Sequence, residues 1–178
     1  MEPVIARLGA SRNDADALAD LHTRSRQIVY RGLYGDAYLD HELFEVSRAT
    51  WRARFADFDP ASDLILAAME DGHPIGLAYA SFRLKPEVGA LLDNLHVAPE
   101  RKGGGLGTQL LAETARWLVE DHAGAALHLE VYAPNAAALG FYEARGGVEA
   151  ARYAEVVPGG REVEIVRYRW VRPLALLR

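Results

Sequence analysis

Apolar and polar positions recur along the chain with two different periods, which predict an ordered series of strands and helices. Period two and short apolar runs are typical of strands, and a period of about 3.6 is typical of amphipathic helices. Strand-like runs occupy residues 3–8, 64–69, 75–84, 91–97, 127–131, 150–156 and 162–171. Helical spacing covers residues 14–30, 36–43, 47–58, 106–121 and 135–145. This order predicts an α/β or α+β domain built around a layered sheet of mixed direction.

Local signals support several of these elements. Ser11 opens a sequence with the form of a capping box, which predicts the start of the first helix. Trp51 and Phe55 lie four residues apart and therefore share one helix face. The pair Asp71 and Gly72 between two apolar runs is a strong signal for a tight hairpin.

Composition narrows the class of protein. The chain has 178 residues, a net charge of −5 and no cysteine. Its length predicts one domain with a substantial core. The negative charge argues against non-specific nucleic-acid binding, which needs basic surfaces. The absence of cysteine excludes disulfides, thiolate metal sites and a cysteine nucleophile. The N-terminus does not resemble a signal peptide and no apolar run is long enough to span a membrane, so we expect a cytoplasmic protein.

Residues 91–111 combine a strand, a glycine-rich turn and the start of a helix. Pro99 ends the strand because proline cannot donate to a sheet ladder. Four glycines follow within five residues, at Gly103, Gly104, Gly105 and Gly107. The first N–H groups of a helix have no partner inside it, and glycines let a phosphate approach them closely. The pattern predicts an anion-binding loop, with a flexible helix-capping turn as the alternative.

Two common phosphate motifs do not fit the spacing of these glycines. The Walker pattern ends in Gly-Lys-Ser/Thr, whereas Gly107 directly precedes Thr108. The dinucleotide pattern needs a third glycine three positions after the second, and no such glycine is present. The sequence Val-Ala-Pro-Glu-x-x-Gly-x-Gly-x-Gly from Val97 instead resembles the acetyl-CoA signature of the GCN5-related N-acetyltransferase (GNAT) superfamily. Lys102 departs from the Gln or Arg usual there and keeps the charge without the fork geometry of arginine.

A second stretch carries an independent resemblance to the same family. Members often show a strand followed by Asn-x-x-Ala-x-x-Phe-Tyr-Glu-Lys-x-Gly-Phe. The matching positions are Asn135, Ala138, Phe141, Tyr142, Glu143 and Gly146. Gly147 replaces the final Phe. The resemblance is good over residues 64–147 and loose over residues 1–60.

The resemblance implies a single GNAT-like domain with a mixed, mostly antiparallel sheet of about seven strands and helices on both faces. Residues 1–60 would form the acceptor-side helices, residues 64–147 the acyl-CoA core and residues 150–171 the C-terminal strands. The strands at 91–97 and 127–131 would splay apart to admit the pantetheine arm of acetyl-CoA. The implied cofactor residues are Leu95, His96, Val97, Lys102, Gly103, Gly104, Gly105, Leu106, Gly107, Thr108, Asn135, Ala138 and Tyr142. For Asn135 a plain helix N-cap is an equal alternative.

Acyl transfer to an amine requires control of two protons. An alkylammonium has a pKa near ~10.4, so little of it is nucleophilic at neutral pH, and the leaving thiolate needs a proton. Without cysteine, direct attack of the amine in a ternary complex is favoured over an acyl-enzyme. Phe141 is the predicted core residue, and Tyr142, which follows it on the helix, is the predicted proton donor. The alternative is that the Tyr142 hydroxyl only forms a structural hydrogen bond with the backbone.

The base is predicted among residues of the central strand. Regular alternation places Asp93 and His96 on opposite faces and puts Asp93 among Leu91, Leu95 and Val97, where its pKa would be raised. Structural roles are the alternative for both residues. His22 and His41 are weaker candidates, and deprotonation relayed by water is also open.

The N-terminal helices are expected to form the acceptor wall. Tyr30, Tyr34 and Tyr38 recur every four residues, and Tyr30, Tyr34 and Asp93 are the predicted acceptor-binding residues. Acidic residues nearby suit a cationic amine, although ordinary packing and a solvated acidic face would produce the same pattern. These acidic residues are Asp36, Asp40, Glu42 and Glu45.

The sequence thus predicts an acetyl-CoA-dependent N-acetyltransferase that acts on a primary amine of a small molecule or peptide, without a metal. A non-catalytic acyl-CoA binder or sensor on the same fold is the alternative, and an NTP-binding protein is disfavoured by the missing Lys-Ser/Thr. We expect no nucleic-acid or membrane partner. The acceptor, the acyl length and the oligomeric state stay open, with a homodimer among the alternatives.

Overall fold

The computed structural model describes residues 3–9 and 12–178. The strands are β1 (Val4–Arg7), β2 (Asp63–Glu70), β3 (His73–Ser81), β4 (Ala90–Val97), β5 (Leu127–Tyr132), β6 (Val148–Val156) and β7 (Glu162–Trp170). The α-helices are α1 (Arg12–Val29), α2 (Leu43–Ala56), α3 (Leu106–Asp121) and α4 (Ala136–Glu143). Short helical turns occupy Tyr38–Glu42, Pro99–Arg101 and Pro173–Leu177. The capping box expected at Ser11 lies outside the described residues.

One seven-stranded sheet runs through the domain in the order β1-β2-β3-β4-β5-β7-β6. Every neighbouring pair is antiparallel except β4 and β5, which are parallel. The predicted hairpin between β2 and β3 is confirmed, with Asp71 at φ 50° and Gly72 at φ 79°. Positive φ at both central residues is what a type I′ turn requires. The predicted mixed, mostly antiparallel sheet is therefore confirmed.

The parallel strands β4 and β5 pair over only a short length. Their register joins Ala90–Leu92 to residues 127–129, and the two strands separate beyond Leu92. On its other side β4 continues to pair with β3 as far as Val97. The backbone of residues 93–97 therefore faces a gap on the β5 side, and the predicted separation of these two strands is confirmed.

A β-bulge interrupts β4 at Asp93. The register with β3 pairs Tyr79 with Asn94 and Ala80 with Leu92, which leaves Asp93 as the extra residue. Beyond the bulge, Leu95 and Val97 pack against the core beneath α3. The predicted common face of Asp93 with Leu95 and Val97 is therefore wrong, because a bulge shifts the alternation by one residue.

Two helical layers cover the sheet. Leu18 and Leu21 of α1 and Trp51 and Phe55 of α2 form one core with the facing residues of β2 and β3. On the opposite face α3 buries the larger core, in which Leu110 and Leu118 are fully buried. The prediction that Trp51 and Phe55 share a buried face is confirmed. Within the described residues, no helix combines the length and apolar content needed to cross a membrane.

The two short helices predicted at 36–43 and 47–58 are one continuous helical segment. The π-helical turn Tyr38–Glu42 runs directly into α2, and the Leu43 N–H donates to the Tyr38 carbonyl. Leu39 and Leu43 are both fully buried, so the segment presents one apolar face through the join. No glycine or proline separates the two predicted helices, and the prediction of a break there is wrong.

The β6–β7 hairpin is anchored on the turn after α1. Gly35 N–H donates to the Pro158 carbonyl at 2.9 Å. A Cβ on Gly159 would lie 2.6 Å from the Gly35 nitrogen, so the two backbones touch at a point where no side chain fits. This contact brings the C-terminal strands against the N-terminal helices.

Candidate active site

The glycine-rich loop presents a run of free backbone donors. Gly103 and Gly105 both adopt φ 82°, a left-handed conformation that favours glycine, and Gly105 caps α3. Within the described residues, the N–H groups of residues 103–107 donate to no protein acceptor. Five successive donors at a helix N-terminus fit a pyrophosphate.

This loop borders a cavity of about 500 Å³ between the splayed strands, α3 and α4. Most predicted cofactor residues line it, and Gly104 does not. The lining includes Leu95, His96, Val97, Lys102, Gly103, Gly105, Leu106, Gly107, Thr108, Asn135, Ala138 and Tyr142. The structure thus brings both sequence motifs to the two sides of one cavity.

Arg145 is a cavity residue that the sequence analysis did not identify. Its guanidinium lies 3.7 Å from the Phe141 ring centroid and donates to Thr108 Oγ1 at 2.9 Å. No carboxylate within the described residues pairs with it. Arg145 therefore adds a cation beside the loop to Lys102 and to Arg101, which pairs with Glu70. The sequence feature that could have indicated Arg145 is its position four residues, about one helical turn, after Phe141.

Tyr142 is buried, and it is Phe141 that is half-exposed. Tyr142 is 8% exposed and packs in the main core near Tyr168 and Trp170, so the prediction of Phe141 as the core residue is wrong. The reason is that Phe141 covers Gly107 at the cavity mouth. Within the described residues, no group forms a hydrogen bond with the Tyr142 hydroxyl. Burial, and after it the proximity of Tyr30, raises the pKa of Tyr142 well above its usual range.

Asn135 caps α4. Its Oδ1 accepts from the Ala138 N–H at 3.2 Å, and the side chain also lines the cavity. The N-cap alternative is confirmed for the side chain. A contact between Asn135 and the cofactor stays a prediction.

A second cavity of about 370 Å³ adjoins the first on the side of α1 and α2. The Tyr34 and Tyr132 hydroxyl groups form a hydrogen bond across this cavity, with 2.7 Å between their oxygens. The Tyr30 ring stacks on the Tyr34 ring. The volume lies at the small end of ligand pockets. The residues that line both cavities are Tyr30, Leu92, Asp93, Glu130, Val131 and Tyr132.

Asp93 lies where the cavities meet, but its surroundings are not apolar. The Arg54 guanidinium binds both the Asp93 carboxylate and the Asn94 side chain, and it also lies over the Trp51 and Tyr79 rings. The predicted apolar surroundings of Asp93 are therefore wrong. Asp93 is an ion-paired carboxylate at the junction.

His96 points to the same helical layer as Asp93. Its Nδ1 lies 2.9 Å from Ser25 Oγ of α1, whereas Arg54 belongs to α2. The predicted opposite faces are wrong, because the bulge at Asp93 moves both side chains toward these helices. Burial, and then the charge of Arg26, lowers the pKa of His96 to about 3. His96 is thus neutral at pH 7 and a weak proton acceptor.

The other two histidine candidates differ in position: His22 lines the second cavity with its ring centroid 4.6 Å from that of His96, whereas His41 lines neither cavity. His22 is buried and its Nδ1 accepts from the Trp51 indole at 3.1 Å, and burial lowers the pKa of His22 well below its usual value. His41 is exposed on the π-helical turn.

The acidic residues near the N-terminal helices are partly neutralised. Arg31 binds Asp36 at 3.0 Å and Asp40 at 2.6 Å, and all three side chains are exposed. Glu42 and Glu45 are exposed as well and do not line either cavity. The electrostatic attraction of a cationic amine by this surface is therefore smaller than the sequence implies.

A model of the acetyltransferase (GNAT) family matches residues 18–147, which is more than half of the chain. The chain belongs to the GNAT acetyltransferase family. No curated protein sequence matches it. The GNAT assignment agrees with the position of both motifs on one cavity.

Solved GNAT structures share the fold across nearly the whole chain. The PaiA N-acetyltransferase of Thermoplasma acidophilum, in complex with coenzyme A, is 20% identical with a TM-score of 0.73, over 96% of this chain and 100% of that one. YncA of Salmonella typhimurium with its cofactor acetyl-CoA is 17% identical with a TM-score of 0.69, over 96% and 94%. The spermidine/spermine N-acetyltransferase SpeG of Vibrio cholerae is 17% identical with a TM-score of 0.69, over 98% and 96%.

Proposed function

We propose that this GNAT protein transfers the acetyl group of acetyl-CoA to a primary amine of a small molecule or peptide, by direct attack in a ternary complex. The observation that carries the proposal is that two cavities meet in the gap between β4 and β5. One cavity has the free N–H groups of residues 103–107, and the other is small and lined by tyrosines. A donor and an acceptor can therefore approach each other from opposite sides.

The residues of the first cavity suit acetyl-CoA. The N–H groups of residues 103–107 would bind the pyrophosphate, with Lys102 and Arg145 adding positive charge. The open backbone of residues 93–97 would bind the amide groups of the pantetheine arm as an added strand does. PaiA and YncA carry coenzyme A or acetyl-CoA on the same fold. Acetyl-CoA supplies an activated acetyl thioester.

Tyr142 is the proton donor in this proposal. Its phenol stays protonated at neutral pH because burial raises its pKa, and its hydroxyl has no competing partner in the described residues. A C–N bond forms as the C–S bond breaks, the thiolate takes the Tyr142 proton, and the amine proton leaves through water in the second cavity; a proton from solvent then restores the Tyr142 phenol. Because the chain has no cysteine, no thioester to the protein can form.

An amine panel with acetyl-CoA tests the proposal, with free thiol as the readout. The protein has no thiol of its own, so the signal comes only from released CoA. Acetylation of at least one primary amine, confirmed by mass spectrometry, is expected. Tight acetyl-CoA binding without turnover on a broad panel would instead support the non-catalytic binder.

A further inference from the structure

Among the described residues that line the second cavity, which we take as the acceptor cavity, one guanidinium has no carboxylate partner. Arg26 lies in the last turn of α1 and lines this cavity, and it is half-buried. Its aromatic neighbours are the Tyr30 and Tyr34 rings, with centroids 5.9 and 5.5 Å from Cζ. Within the described residues, no Asp or Glu oxygen lies within ion-pair distance of it.

The other charges around the cavity are matched, with one exposed exception. Arg54 pairs with Asp93, and Glu130 accepts from Lys85 and Arg167. Glu155 on β6 also lines the cavity, but it is exposed and needs no partner there. Among the described residues that line this cavity, Arg26 is therefore the half-buried cation without an ion-pair partner.

A cation removed from water needs an anion or several good acceptors to offset its desolvation. The Tyr30 and Tyr34 rings offset part of the desolvation of Arg26 through cation–π contact. A planar guanidinium keeps a fork of donors that matches a carboxylate in two parallel hydrogen bonds. The cavity thus offers a ready position for one anionic group.

We propose that the acceptor of this protein carries a carboxylate as well as its amine, and that Arg26 binds this carboxylate; the inference rests on the proposed N-acetyltransferase function. Arg26 precedes Tyr30 by four residues, about one helical turn, and Tyr30 lines both cavities. The carboxylate therefore lies about one turn from the junction where the amine reacts. The small cavity fits an amino acid or a similar amino carboxylate.

The test compares each amino acid with its own carboxamide, which keeps the amine and removes the charge. The wild type is expected to favour the acid by roughly 10- to 100-fold in kcat/KM, the range for hydrogen bonds to a charged group. Arg26→Gln should remove this preference by lowering kcat/KM for the acid and leaving that for the amide nearly unchanged. Arg24→Gln, an exposed arginine on the same helix, is the matched control and should keep the preference.

Other outcomes separate this inference from the proposed function. Thermal shifts of the protein saturated with CoA, measured with the same acids and amides, test Arg26 even if no amine is acetylated. Acetylation with equal preference for acid and amide, or best activity on spermidine, would overturn the inference while the N-acetyltransferase function stands. A stronger response to 2-aminoethyl phosphate than to the amino acids would overturn the carboxylate assignment. An unchanged acetyl-CoA shift in Arg26→Gln shows that the variant is folded.

Discussion

The hydroxyl of Tyr142 offers a sharp separation between chemistry and structure. Tyr142→Phe removes one oxygen and keeps the buried ring. Since that hydroxyl bonds no group in the described residues, its loss should change the free energy of unfolding by less than about 0.5 kcal/mol. If the phenol protonates the leaving thiolate, kcat should fall by about 10²- to 10⁴-fold, the range for a general acid.

Tyr168→Phe is the matched control. The Tyr168 hydroxyl donates to Glu143 Oε1 at 2.7 Å and does not line either cavity. Because the acceptor is charged, this substitution should cost about 1 to 2 kcal/mol of stability. Its kcat should stay within about twofold of the wild type, so the two variants are expected to show opposite patterns.

The assay is steady-state release of CoA at saturating acetyl-CoA, with urea unfolding and an acetyl-CoA thermal shift on the same preparations. Acetyl-CoA affinity should be nearly unchanged in Tyr142→Phe, because the ring remains. The raised pKa of Tyr142 also predicts that loss of its proton does not limit the wild-type kcat below about pH 10. A Tyr142→Phe variant with wild-type kcat would refute the proton-donor role, whatever its stability.

Three further substitutions test the glycine-rich loop, the half-buried His96 and the buried Asp63 carboxylate. Gly105→Glu should abolish the acetyl-CoA thermal shift through bulk and like charge, whereas Gly72→Glu, equally strained at φ 79° but on the β2–β3 hairpin, should lose stability and keep the shift. The pKa of His96 is lowered to about 3, so the contribution of neutral His96 to the free energy of unfolding is complete above about pH 6.5. The free energy of unfolding should then fall by about 1.4 kcal/mol per pH unit between pH 6.5 and pH 3. His96→Asn should flatten this part of a pH series of urea melts, and an unchanged slope would contradict the lowered pKa. Arg83→Met should lower the urea midpoint because it leaves the buried Asp63 carboxylate with fewer donors, and an unchanged midpoint would show that Ser81 and the Asp59 N–H suffice.

Local chemistry made much of the fold predictable. The Asp71-Gly72 hairpin and the end of α1 near residue 30 depend on residues close in sequence, and both appear as expected. The glycine loop was predictable for the same reason, because left-handed φ at Gly103 and Gly105 is a property of that residue type.

What the sequence did not predict depends on distant partners. The bulge at Asp93 is set by the register of β3 against β4, and the sequence of β4 contains no glycine or proline that would indicate it. Arg54 and Arg26 line the second cavity only because α1 and α2 pack beside β4 and β5. The join between the π-helical turn and α2 likewise follows from burial of Leu39 and Leu43 rather than from a local signal.

The separation of β4 from β5 also gives the sheet two edges in its interior. An outer edge strand of this kind invites pairing with other chains, and proteins usually block it with charges or twist. Here α1 on one side and α3 on the other reduce the opening to a slot between two helical layers. A polypeptide strand projects side chains to both faces and would collide with both layers. We therefore expect the slot to admit a thin, unbranched amide chain and to exclude pairing with a strand of another chain.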